Sequence, residues 1–154
     1  MLNKIIYGSI LFVLFGCVSY GSDVKFTNLT RDFFHNKTTA EQERQFTNHS
    51  LDEQYELFIF GNQVVHPPAT YLAYLFAKQG PRIVPLLKFK LKTTQDEVTV
   101  RDIVLVFAWL ARLKLYDYPE DPELTNLLDR KANDMHGIWK NTTLEMISEI
   151  RSVR

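Results

Sequence analysis

Beyond Thr39 the apolar residues recur three and four positions apart, the interval that stacks side chains on one face of an α-helix. Thr39 caps a short helix that runs through Phe46. Ser50-Leu51-Asp52-Glu53 is a capping box, in which the Ser50 hydroxyl accepts the Glu53 N–H and the Glu53 carboxylate reaches back to Ser50. The helix it opens carries Leu51, Tyr55, Phe58 and Ile59 at helical spacing, and Gly61 reads as its stop. Val64, Val65 and the pair Pro67-Pro68 form a connector, because a proline pushes the residue before it out of helical conformation. Thr70 to Gln79 is the next helix. Pro81 opens another that reaches Lys92, with Pro85 tolerated in its first turn.

Ile103 to Leu110 is uninterrupted apolar sequence, which on periodicity alone fits a buried strand as well as a helix. Length decides, since Val98 to Leu115 sustains the pattern far beyond the roughly five or six residues of an ordinary strand. An element that is apolar on most sides is covered on most sides, so this helix is expected at the centre of the domain. Asp121 and Pro122 supply a cap and a first helical position for a helix to Asn133, and a last helix spans Asn141 to Val153 after a break at His136-Gly137. The expectation is an all-α domain of about six short helices, without hairpin signals.

Part of this pattern has a known likeness. Ile83-Val84-Pro85-Leu86-Leu87, then Leu91, Asp96, Val100-Arg101, Val104, Ala108 and Leu110 resembles the HEAT repeat, in which a helix with Pro-Leu-Leu turns at an Asp into a helix opening with Val-Arg. The resemblance covers residues 83–110. It implies an irregular, HEAT-like or orthogonal helical bundle, and a protein that serves as a binding scaffold. One such helix pair cannot bury its faces alone and needs neighbours on both sides.

The N-terminus changes the picture of where the domain resides. Residues 1–16 carry one cation, Lys4, ahead of the largely apolar run Ile5 to Phe15, the layout of an export signal. A helix of that run covers about half of a hydrocarbon core roughly 30 Å thick, too little for a permanent span. Leu14-Phe15-Gly16-Cys17 resembles the lipobox of bacterial lipoproteins, which implies lipid modification of Cys17 and a membrane anchor in the cell envelope, facing the periplasm or the exterior. Cleavage before Ser22, after Ser19-Tyr20-Gly21, is the rival, and leads to a secreted chain. Residues 17–38 read as a polar tether whose Phe26, Leu29, Phe33 and Phe34 favour partial docking, and residues 39–154 form the helical domain.

Composition removes several classes. Eighteen Lys and Arg balance eighteen Asp and Glu, so nothing marks a nucleic-acid partner. A single cysteine excludes a disulfide framework and a Cys/His zinc set, leaving no cofactor or metal to expect. His35, His49, His66 and His136 stand in loops with no helical pairing; His66, before two prolines, is the one held in a defined orientation. Asp117, Glu120, Asp121 and Glu123 crowd a connector but lack the alternating oxygens and turn glycine of a calcium loop.

Neither a nucleophile elbow nor a phosphate-cradling glycine loop is present, and no catalytic residue is nominated. The aromatic excess remains. Tyrosine suits the wet edge of an interface, so His66 with Tyr71 and Tyr74, and the pair Tyr116 and Tyr118, are the candidate protein-binding residues. The leading expectation is an exported, lipid-anchored protein-binding module whose partner is an envelope protein, as scaffold, adaptor or toxin-neutralising factor. The alternative is a small envelope hydrolase acting on peptidoglycan or glycans through a carboxylate or His66 in a cleft.

Overall fold

The structure is a computed structural model that describes residues 24–153; the signal segment 1–16, Cys17 and the rival cleavage point at Ser22 lie outside the described residues. The chain is all-helical there, with no strand among the described residues and eight α-helices where about six were expected. The helix with no counterpart in the sequence reading, α1 (Asn28–Phe34), falls inside the stretch 17–38 that reads as a tether. Thr27 and Thr30 cap it reciprocally: the Thr30 N–H donates to the Thr27 hydroxyl oxygen at 3.2 Å and the Thr27 N–H to that of Thr30 at 3.0 Å. Phe33 is then buried against Phe34 and Phe46, which outweighs the polar composition around it.

Helix α2 (Thr39–Phe46) is capped by Thr38 rather than Thr39, because Glu41 stands where its carboxylate accepts the Thr38 N–H at 2.7 Å. Helix α3 (Leu51–Gln63) starts at the expected Ser50 box, with the Ser50 N–H donating to Glu53 at 2.8 Å. It does not stop at Gly61. A Cβ there would lie 2.8 Å from the Phe34 ring and 3.0 Å from Ala69 and Leu72, so this glycine serves close packing inside the helix. Helix α4 (Tyr71–Ala77) ends before Gly80, whose φ of +68° is the left-handed conformation that glycine adopts without cost. Gly80–Ile83 is a 3₁₀ turn, so the helix that proline opens begins only at Val84, as α5 (Val84–Thr93).

Helix α6 (Glu97–Arg112) occupies the centre, as its all-round apolarity predicts, and packs on α3, α4, α5 and on α8 (Lys140–Ser152). Asp96 caps it by accepting the Val98 N–H at 3.0 Å. It ends three residues earlier than the periodicity suggests. Lys114 turns to a φ of 55° and the Leu115 N–H returns to the Leu110 carbonyl at 2.9 Å, a left-handed stop made without glycine. Helix α7 (Pro122–Asp134) begins at the Asp121 cap as expected. Glu97 ties the turn between α7 and α8 to α6 by accepting the backbone N–H groups of His136 and Gly137 at 2.6 and 2.8 Å.

The core is not purely apolar. Asp102 on α6 is fully buried and accepts from Asn62 Nδ2 at 2.6 Å, Gln63 Nε2 at 2.8 Å and Arg101 Nε at 2.8 Å. This cluster locks the end of α3 to the first half of α6.

Candidate functional site

The expected binding residues divide on the structure. His66 is exposed in the connector between α3 and α4, where the His66–Pro67 peptide bond is cis. Tyr71 turns toward α2, where its hydroxyl donates to Gln42, and burial pushes its pKa up to about 12. Tyr74, one turn on, faces α6 instead and packs edge-on to Trp109 at 5.2 Å. Tyr71 and Tyr74 therefore engage different helices. Tyr118 is a core side chain, 5% exposed, whose hydroxyl donates to the Phe107 carbonyl. Tyr116 packs edge-on against it at 5.2 Å and reaches a groove.

That groove, about 460 Å³, lies along α5 and is walled by Pro81, Val84, Pro85, Phe89 and Tyr116, with Lys88, Lys92 and Glu123 at its edge. Phe89 is 60% exposed, an aromatic ring on the solvent side of a helix whose Val84, Leu87 and Leu91 are already buried. Phe89 is not among the binding residues expected from the sequence. The available signal is its register, two residues from both Leu87 and Leu91 and so off the face that those two define.

The charged edge is tightly organised. Lys88 Nζ donates to both Asp121 oxygens at 3.1 and 3.0 Å and pairs with Glu123, while Lys92 Nζ sits 3.3 Å from Glu123. The Tyr116 hydroxyl donates to Asp121 Oδ2 at 2.7 Å, and Asp121 Oδ1 also accepts the Leu124 N–H at 3.0 Å. One carboxylate thus caps α7, fixes Lys88 and orients Tyr116.

Burial alone pushes the Asp121 carboxyl up, but bonds from Tyr116, the Leu124 N–H and Lys88 overcome it and hold the group below its usual value. For Lys88, burial acts downward and the bonds to Glu123 and Asp121 win, so its pKa is raised. Burial, reinforced by the bond to Asp121, pushes Tyr116 up to about 12. Both acids at this edge are already engaged by internal partners, which suits a rigid contact surface better than proton transfer to a substrate. No protein-family model, curated protein or solved structure matches the chain. The groove's reading therefore rests on its own geometry.

A depressed carboxyl contributes stability that is present above its unfolded pKa and lost as pH falls through the folded one. A raised ammonium contributes below its unfolded pKa and loses the contribution as pH rises through the folded one. The clamp between α5 and α7 is therefore expected to hold from just above pH 4 to beyond pH 10, and to release first in acid. Asp121→Ala is expected to cost about 1–2 kcal/mol at neutral pH, through the lost cap and partner, and to flatten the acid limb of a thermal-melt series.

Proposed function

We propose that the chain is a protein-binding module of the bacterial cell envelope, lipid-anchored at Cys17, that docks its partner on the α5 groove. The exposed Phe89 carries this reading: a large aromatic between Pro81, Pro85 and Tyr116, rimmed by fixed charges, has the apolar centre and polar rim of a recognition surface. The partner is an envelope protein that inserts an apolar side chain between Phe89 and Tyr116, with polar groups meeting Lys92 and Glu123. Helices α5 and α6 fall on the residues that resemble a HEAT repeat, and in this reading the remaining helices are its irregular neighbours. No helix among the described residues is long and apolar enough to cross a membrane; the anchor in this reading is the lipid at Cys17.

Photo-crosslinking from position 89 in intact envelopes is expected to trap one protein at stoichiometric yield, with position 26, also exposed, as the control. Phe89→Glu is expected to weaken the same complex by about 2 kcal/mol, roughly thirtyfold, at an unchanged melting temperature. Equal capture from both positions, or wall or glycan turnover by the purified protein that one acid-to-amide change abolishes, overturns the reading. Mass spectrometry of the mature N-terminus tests the anchor, since a lipid-modified Cys17 and a free Ser22 differ plainly.

A further inference from the structure

A second cleft, about 280 Å³, opens where the end of α3, the connector after it, α6 and the start of α8 meet. Its walls are largely apolar, with Pro68, Leu105, Trp139 and Met146, and Arg101 is the one charged side chain that lines it. Arg101 is not a free surface cation. Its Nε donates to the buried Asp102 at 2.8 Å, one terminal nitrogen donates to the same oxygen, and the guanidinium lies over the Trp139 ring at 4.1 Å from its centroid. Asn62 and Gln63 fix Asp102 in turn, and Glu97 fixes the turn that leads to Trp139.

Among the described residues nothing engages the other terminal nitrogen, Nη1, so one edge of the guanidinium keeps its donors beside an apolar cavity. A buried carboxylate and a stacked ring that hold an arginine in one orientation form a pre-organised receptor for a planar acceptor, since the rotamer entropy is already lost before a ligand arrives. A pair serving stability alone is a costly choice here, because burying two charges is often matched by apolar packing.

We propose that this cleft binds a small apolar carboxylate, its oxygens bonded to the open edge of Arg101 and its body packed between Leu105, Pro68 and Trp139. The lone lining cation selects the negative group, the walls select an aromatic or short aliphatic body, and the volume, just below the usual range for ligand pockets, limits its size. This site is separate from the α5 groove and does not depend on its reading.

The chain has two tryptophans, so a Trp109→Phe background leaves Trp139 as the local reporter. Titrating the full chain with 3-phenylpropionate is expected to give a saturable change in Trp139 emission, and the uncharged isostere 3-phenylpropionamide to bind at least about tenfold more weakly. Arg101→Lys is expected to weaken the acid by a similar factor, because an ammonium offers neither the fork nor the stacking. Leu105→Phe keeps Arg101 and its network, narrows the cleft without adding a second indole, and is expected to abolish the response without unfolding the chain. No saturable response, equal affinity for acid and amide, or binding that survives Leu105→Phe overturns the proposal.

Discussion

Asp102→Ala is expected to lower stability by about 3–5 kcal/mol, read as a lower denaturation midpoint at an unchanged slope. The carboxylate is the shared acceptor of three donors, from Asn62 and Gln63 on α3 and Arg101 on its own helix, and it is fully buried. Removing it leaves a guanidinium without its counter-charge and an amide donor of the buried Asn62 without a partner. Asp102→Asn preserves volume but does not rescue, because its new N–H₂ must face one of three donors. Arg101→Met with Asp102→Leu is expected to cost less than the sum of the two single changes, since the stranded charge disappears together with its partner. Additive losses would show that the pair is not coupled.

The same residue sets a pH trend. Burial pushes the Asp102 carboxyl up, outweighing Arg101 and the bonds from Gln63 and Asn62, so the native state holds this proton to higher pH than the unfolded chain does. The pH-dependent part of its contribution to stability is full below the ordinary carboxyl value and is lost as pH rises through the raised one, while its bonds to Asn62, Gln63 and Arg101 remain. Asp121 runs the opposite way, and comparison of Asp102→Asn with Asp121→Ala across the acid range separates the two trends.

The capping chemistry was legible in the sequence because it is local. Ser50 with Glu53, and Asp121 with Pro122, each combine a cap with a partner one turn away, and both helices begin where those residues place them. The cap of α1 escaped because Thr30 plays the part that glutamate usually takes, in a segment whose composition resembles a linker. The stop of α6 escaped because Lys114 adopts a conformation normally left to glycine. Length and apolarity placed α6 at the centre, but no pattern along one strand of sequence brings Gln63 to Thr99 and Asp102, which lie 36 and 39 residues away.

The candidate site followed the same division. Tyrosine chemistry pointed toward Tyr116, yet amphipathic side chains also finish a core, and Tyr118 does so by spending its hydroxyl on Phe107. Phe89 was hidden by its own apolarity. Its register, two residues from both Leu87 and Leu91, is what separates it from the buried phenylalanines.

Gly61→Val is expected to destabilise the fold by about 3 kcal/mol, and Gly61→Ala by less. A Cβ at this position meets three neighbours, and they differ in how far they can yield. The nearest, Phe34 Cζ at 2.8 Å, is the end of a partly buried ring on α1. Ala69 Cβ at 3.0 Å has no rotamer to change, and its N–H is bonded to the Gly61 carbonyl at 2.9 Å, so backbone must move. Overpacking of this kind costs about 1–3 kcal/mol, against about 1 kcal/mol that alanine recovers over glycine within a helix. Alanine therefore sits near a net loss of about 1 kcal/mol, whereas the two further methyl groups of valine have no such offset. Phe34→Ala removes the nearest atom, and in that background Gly61→Ala is expected to become neutral or favourable. That reversal would identify the seat of α1 on α3, rather than helix propensity, as the reason this position holds glycine. If the alanine penalty persists without the Phe34 ring, the contact with the connector at Ala69 dominates, and α1 is held by Phe33 instead.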